Sequence, residues 1–359
     1  MKVLYLINLA GKAGTEKYVE NLMGYLHPNR CACGLCYNLE GPLSEKIAAA
    51  GMPVHRVVMR NPLDLKAAKE LAKLCREEGY DVIHAQYPRE NCIAILSRLF
   101  GNKAKVVFTS HLTIHQPLPW RVLNRIFTPK NQRVIAVCKE GEGFLLGNGV
   151  KKEKIQVIFN GIDAGKMPPR DRSVLGEFGI DKELVLSILT RFDPEKGLDF
   201  LCDSIRRLKD STQVPFKVLV MGDGQGFPQI KARVEELGLS DTMILTGFRR
   251  DTDKLLAASD IYLNTSSCNE AMSFAILEAL ANHLPVVATD VGGNSDLVHL
   301  GGTCGYILNY GDVDGFAGRL KELLEDEGLR QKFGQTALEK AQTTFDINRL
   351  LEAVYETYQ

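Results

Sequence analysis

Residues 260–296 read as a single strand–helix–strand unit, and the same alternation along the chain restricts it to an α/β fold. Ile261, Tyr262 and Leu263 form an apolar run that enters a polar loop. Phe274, Leu277 and Leu280 then recur at helical spacing, and residues 285–289 form a second apolar run before Gly292-Gly293. Short apolar strands separated by helices predict a parallel sheet with crossovers on both faces.

The pattern is predicted twice. Strands are expected at 2–8, 31–37, 54–58, 82–85, 106–109, 134–137 and 156–159, with helices at 15–26, 43–50, 65–78 and 92–99. Residues 163–172 carry Gly165, Pro168 and Pro169 and read as a linker. A second series follows, with strands at 184–189, 216–221, 243–246, 261–263, 285–289 and 305–308. Its helices are expected at 198–209, 228–236, 312–326, 329–343 and 347–358. A length of 359 residues suits two such domains. Doubly wound sheets bind ligands outside the carboxyl ends of their strands, so a cleft between two halves is the expected site.

Composition excludes some partners. Hydrophobic residues make up 45% and charged residues 25%, values of a globular soluble chain, and the net charge of zero gives no global attraction to nucleic acid or membrane. The apolar run at the N-terminus is too short for a signal peptide, and no run reaches the length of a spanning helix. Nine scattered cysteines fit a reducing cytoplasm. Cys31-Ala-Cys33-Gly-Leu-Cys36 contains one C-x-x-C, but no second pair with zinc spacing follows, and the segment reads as a buried strand.

Four places carry candidate chemistry. Glu270 stands at the mouth of the 274 helix and Glu278 eight residues further on, a rise of at most about 12 Å if helical throughout. Free amides at the helix start favour an anion between them. Hydroxyl acceptor, phosphate cradle and second acceptor in a row match the span of a ribose–diphosphate–sugar unit. Two glutamates at that spacing also arise by chance on solvated helices. Arg191 and Lys196 lie in a strand-end loop and suit a diphosphate, one as a planar fork and one as a point charge; an ordinary solvated loop is the alternative. Gly11 and Gly14 flank the first strand-to-helix turn, either as a backbone cradle for an anion or as a plain turn, and the spacing is not G-x-G-x-x-G. His111 follows a strand, placed for a sugar hydroxyl or for a structural hydrogen bond. His84 is a weaker candidate at the end of its own strand, and the remaining histidines read as structural.

Between Arg98 and Lys139 the chain carries eight Lys or Arg residues and no Asp or Glu. Inside it, residues 119–127 hold the only tryptophan, Trp120. As a helix the segment would group Trp120, Leu123, Ile126 and Phe127, with Arg121 and Arg125 beside them. That is either a core-facing apolar side under a basic surface or a face for an anionic membrane.

Together these motifs, in this order, resemble glycosyltransferase family 4, retaining transferases of GT-B fold, over essentially the whole length. The resemblance rests on Glu270 and Glu278, on Arg191 with Lys196-Gly197, on the Gly11/Gly14 loop ahead of Thr15-Glu16, and on His111. It also rests on Asn160-Gly161-Ile-Asp163 and on Gly247-Phe248. It implies two Rossmann-like doubly wound parallel-sheet domains facing across a cleft. The acceptor-side domain would span 1–164, the nucleotide-sugar domain 165–344, and residues 345–359 would form a helix packing back on the first.

By the same resemblance, Glu278 would bind the ribose hydroxyls, Glu270 the donor sugar, and Arg191 and Lys196 the diphosphate. Amides near Met272, Ser273 and Phe274 would face sugar and phosphate. Gly11 and Gly14 would lie near the distal phosphate and border the acceptor, and His111 would approach the sugar near its C6 hydroxyl. The base would sit by Gly222, Gly224, Phe248 and Arg249. The acceptor hydroxyl would be the nucleophile, and neither metal nor cofactor is expected.

The chain departs from the family in three places. Glu270-Ala-Met-Ser273-Phe274 replaces Glu-Gly-Phe-Gly, Asp296 replaces a glutamate, and Lys12 interrupts the Gly-Gly pair. The sequence is read as a cytoplasmic transferase, peripheral to the inner membrane face if the basic segment docks there. Its donor would be a nucleotide-diphosphate sugar, UDP favoured over GDP, and its acceptor a glycan or a lipid-linked glycan. The rivals are a sugar-nucleotide epimerase of the same architecture and a non-catalytic nucleotide-sugar-binding subunit.

Overall fold

The computed structural model describes all 359 residues, Met1–Gln359, as two compact units. One unit comprises Met1–Asn160 with Asn348–Gln359, and the other Gly161–Ile347.

The first unit contains β1 (Lys2–Leu9), α1 (Gly14–Leu26), β2 (Ala32–Leu39), α2 (Pro42–Ala49), β3 (Val54–Arg56), α3 (Leu65–Glu78) and β4 (Val82–Ala85). These are followed by α4 (Pro88–Leu96), β5 (Lys105–Ser110), α5 (Leu118–Phe127), β6 (Arg133–Ala136), α6 (Lys139–Gly147) and β7 (Ile155–Val157). All seven strands are parallel, in the order β3-β2-β1-β4-β5-β6-β7. The order reverses direction between β1 and β4. Val3 to Ile7 are fully buried, as expected of a strand covered by helices on both faces. Asp64 caps α3 by accepting from the Ala67 amide at 3.0 Å, and Gly79 ends it with φ of 71°.

The second unit contains β8 (Leu184–Leu189), α7 (Leu198–Ser211), β9 (Phe216–Met221), α8 (Phe227–Glu236), β10 (Met243–Gly247), α9 (Thr252–Ala258) and β11 (Ile261–Asn264). It continues with α10 (Phe274–Ala281), β12 (Val286–Thr289), α11 (Asn294–His299), β13 (Gly305–Leu308), α12 (Val313–Glu325) and α13 (Glu327–Gln342). The last helix of the chain, α14 (Ile347–Glu356), belongs to the first unit from Asn348 on. The six strands are parallel in the order β10-β9-β8-β11-β12-β13, with the reversal between β8 and β11. The core beneath includes Ile188, Phe192, Leu201, Val218, Leu263 and Phe316.

Helices α6, α9 and α11 are absent from the sequence reading, being short, of six to nine residues. The segment read as a linker is fastened to the second unit. Arg170 and Arg172 pair with Asp260 at 2.6 and 3.0 Å, and the Asn282 amide meets Met167 Sδ at 3.4 Å. Beyond α14, Tyr358 returns to the first sheet. Its hydroxyl lies 3.1 Å from that of Tyr5 and 2.7 Å from His84 Nδ1.

Candidate active site

In the second unit three loops leave the carboxyl ends of β8, β11 and β12, around the reversal of strand order, where an open α/β sheet forms its binding crevice. The loop after β8 carries Arg191 and Lys196. It is tied to the loop after β9, with the Thr190 amide on Met221 O at 2.9 Å and the Phe192 amide on Asp223 O at 3.0 Å. Gly222 and Gly224 serve that approach. A Cβ at Gly222 would stand 1.8 Å from Thr190 O, and one at Gly224 2.8 Å from Phe192 N.

The loop after β11 carries Glu270. Glu195 joins it to the β8 loop, its carbonyl accepting from the Ser267 amide at 2.8 Å and its carboxylate from Asn269 Nδ2 at 3.0 Å. Lys196 Nζ forms an ion pair with Glu270 Oε1, which also accepts from Ser266 Oγ at 2.9 Å. Both members of the pair are largely withdrawn from solvent, at 14% and 13% exposure. Arg191 is outside the pair and exposed, against Asp193 at 2.8 Å and Glu195 at 3.4 Å.

The β12 loop supports the Glu270 loop from behind. Gly293 donates to Ala271 O at 2.6 Å, and Gly292, at φ of 60°, lies so close that a Cβ would meet Glu270 O at 1.7 Å. Asn294, fully buried, donates to Asn264 Oδ1 at 3.3 Å and to Thr289 O at 3.1 Å, while Thr289 Oγ1 donates to Ser266 O at 2.6 Å. Glu195, Ser266, Thr289 and Asn294 hold the site together, yet no sequence periodicity marks them.

Glu278 lies half-buried on the second turn of α10, whose N-cap, Ser273, accepts from the Ile276 amide at 3.4 Å. Burial raises the Tyr262 phenol above its ordinary range, and the charges of Glu278 and Glu270 add to the rise, so both carboxylates act on the same buried hydroxyl. Glu270 stands at the mouth of α10 and Glu278 on its second turn, as the sequence reading placed them, but the span between them is helical only from Phe274. Asn269 turns the chain at φ of 60° and α10 begins only at Phe274, so Glu270 belongs to the loop. Met272 is buried and Phe274 half-buried. Phe248 is exposed at 66%. Arg249 is bound to Glu177 at 2.6 Å and Asp251 at 2.7 Å and lies over the Phe178 ring, so its guanidinium serves local structure in this state.

In the first unit the corresponding strand ends carry Gly11, Gly14 and His111. Gly14 is the first residue of α1. Glu16, in the first turn of α1, is buried beside Gly11, and its Oε2 has no hydrogen-bond partner. Glu16 Oε1 lies 3.5 Å from where a Cβ on Gly11 would stand. His111 Nε2 lies 2.9 Å from Gln86 Oε1, and Gln86 Nε2 in turn donates to His84 O at 3.1 Å. That pattern makes His111 Nε2 the donor and leaves Nδ1 an acceptor. Its ring stands edge-on to Tyr18 at 4.9 Å. Burial lowers the His111 pKa to about 3, so the ring is neutral at physiological pH and acts by hydrogen bonding. His84 is structural, held between Tyr358 and Thr109 Oγ1, each at 2.7 Å.

Two Rossmann-like parallel sheets of seven and six strands in one chain give the GT-B architecture. Residues 175–340 match the family model described as glycosyl transferases group 1, and residues 13–166 match that of Glycosyltransferase Family 4. The chain belongs to glycosyltransferase family 4. It is 29% identical over 306 residues to the N-acetyl-alpha-D-glucosaminyl L-malate synthase of Bacillus anthracis, covering 82% of this chain and 78% of that one. Over 309 residues it is 25% identical to the UDP-Gal:alpha-D-GlcNAc-diphosphoundecaprenol alpha-1,3-galactosyltransferase of Escherichia coli, covering 82% and 79%. The fold matches Anabaena Alr3699/HepE in complex with UDP, with a TM-score of 0.87, 23% identity and 99% of each chain covered.

Proposed function

We propose that this chain moves a sugar from a UDP-sugar to a hydroxyl of a glycan or lipid-linked acceptor, with retention of configuration and without a metal. The observation that carries the reading is the Lys196–Glu270 pair at the reversal of the second sheet, with Arg191 beside it and Glu278 on the adjoining helix. In this reading the diphosphate takes Lys196 from Glu270, which frees the carboxylate for hydroxyls of the donor sugar. Arg191, exposed and held only by surface pairs, swings onto the same phosphates. Both cations then lie where negative charge develops on the leaving nucleotide. Glu278 accepts from the ribose. The preference for UDP is supported by the UDP-Gal in the Escherichia coli relative's name, and the lipid-linked acceptor by its diphosphoundecaprenol.

α5 is the candidate surface for a membrane. Leu118, Val122 and Ile126 are exposed along one stripe beside Arg121 and Arg125, while Leu123 is half-buried and Phe127 buried. The grouping expected from the sequence put Ile126 with the inward residues, but α5 has apolar residues on both faces. No helix is long and apolar enough to cross a membrane.

The test is donor hydrolysis across UDP- and GDP-sugars, followed by acceptors. Release of UDP and free sugar supports the transferase. An isomerised nucleotide sugar would make the protein an epimerase, and binding without turnover a non-catalytic subunit.

A further inference from the structure

β11 lies between β8 and β12 in the second sheet and runs into Thr265 and Ser266, both buried. The two hydroxyls go to different members of the ion pair. Thr265 Oγ1 donates to the main-chain oxygen of Lys196 at 2.9 Å, and Ser266 Oγ donates to the Glu270 carboxylate at 2.9 Å. Each grip is braced. On the lysine side, the Lys196 amide donates to Asp193 O at 2.9 Å, and a Cβ at Gly197 would stand 2.1 Å from Thr265 O. On the glutamate side, Ser266 is pinned at both main-chain groups. Its amide donates to Asn264 Oδ1 at 3.2 Å, and its carbonyl accepts from Thr289 Oγ1 at 2.6 Å. Asn294 Nδ2 joins these braces by donating to Asn264 Oδ1 and to Thr289 O. All of these uncharged side chains are buried, so the hydroxyl directions are fixed before a ligand arrives.

This bracing matters once Lys196 changes partner. A diphosphate that draws Lys196 from Glu270 meets a lysine whose main chain is held, so the side chain alone swings. Glu270 loses a charged partner, but Ser266 Oγ still donates to it, and a sugar hydroxyl finds the carboxylate where it stood. We propose that Thr265 and Ser266 are positioning residues that divide the donor between them, Thr265 acting through Lys196 on the diphosphate and Ser266 through Glu270 on the sugar. The proposal deepens the transferase reading and rests on it.

Calorimetric titration without acceptor, using UDP and the UDP-sugar that the wild type hydrolyses fastest, separates the two roles. Thr265→Val, nearly isosteric, should weaken UDP and the UDP-sugar by the same factor, about three- to tenfold. Ser266→Ala should leave UDP within about twofold of wild type and weaken the UDP-sugar by about tenfold or more, because the lost hydrogen bond ends on a charged group that meets only the sugar. In Glu270→Ala, which removes the acceptor of that bond, adding Ser266→Ala should change UDP-sugar affinity by less than about twofold. Thr289→Val, which releases the Ser266 carbonyl, should act in the same direction as Ser266→Ala and serves where that variant proves unfolded by its thermal midpoint. Equal losses of UDP and UDP-sugar in Ser266→Ala, wild-type UDP-sugar affinity in it, or an undiminished effect in Glu270→Ala would each overturn the proposal. Hydrolysis by the wild type together with any of these results rejects the division of roles and keeps the transferase. Failure of the wild type to hydrolyse any UDP-sugar rejects the transferase reading and this proposal with it.

Discussion

Replacing Lys196 with alanine should damage both rate and stability, and the two losses can be separated. The Lys196–Glu270 pair is 14% and 13% exposed, between a surface pair and a buried one. Removing one partner of a buried pair costs about 3–5 kcal/mol, whereas an exposed pair is worth about 0–1 kcal/mol. The intermediate position gives a loss of about 2 kcal/mol. Ser266 Oγ still donates to Glu270, which limits the loss. For a unit of the size of residues 161–347, that lowers the thermal midpoint by about 4–8 °C. Turnover should fall by about 10²–10³, the effect of deleting one preorganised group that meets developing negative charge. The double variant Lys196→Ala/Glu270→Gln removes the stranded carboxylate, so the midpoint should recover while turnover stays low. Calorimetry and steady-state UDP release on the two variants measure these effects. If Lys196→Ala lowers the midpoint but keeps turnover within about threefold of wild type, the lysine is a structural partner of Glu270 and the leaving-group role is wrong.

Four further outcomes are expected. Activity should persist in EDTA, and complete loss restored by Mn²⁺ or Mg²⁺ would reject leaving-group stabilisation by Arg191 and Lys196 alone. His84 has its pKa lowered by burial to about 3, so its contribution to stability is full above the unfolded value near 6.5 and is lost as pH falls from there. His111 loses stability over the same range, so urea unfolding at pH 5 should show a loss about 2 kcal/mol smaller in His84→Gln than in wild type, and equal pH slopes would refute it. Gly292→Ala places a Cβ 1.7 Å from Glu270 O and should shift the Glu270 loop, lowering turnover by about 10²-fold, with wild-type kinetics as the contrary result. Anionic liposomes should float the protein at low salt, less so at high salt and in Arg121→Glu/Arg125→Glu; no retention at low salt would favour a soluble acceptor.

What the sequence determined by itself was the alternation and its polarity. Val3 to Ile7, Val218 to Val220 and Ile261 to Leu263 read as buried parallel strands because helices cover both faces of such a sheet and leave no polar alternation. Glu270, Glu278, Arg191 and Lys196 were legible as candidates because strand-end loops in such a sheet border its crevice. The tertiary structure decided which of them meet. Lys196 and Glu270 are 74 residues apart and pair because β8 and β11 are neighbours across the reversal, a choice of strand order that no local spacing encodes. Gly292 against Glu270, Asn294 against Asn264 and Glu195 against Asn269 are long-range in the same sense. α5 shows the limit from the other side. Apolar residues on both faces of a short helix give a periodicity compatible with either orientation, and only packing decided that Phe127 turns inward while Leu118, Val122 and Ile126 face out.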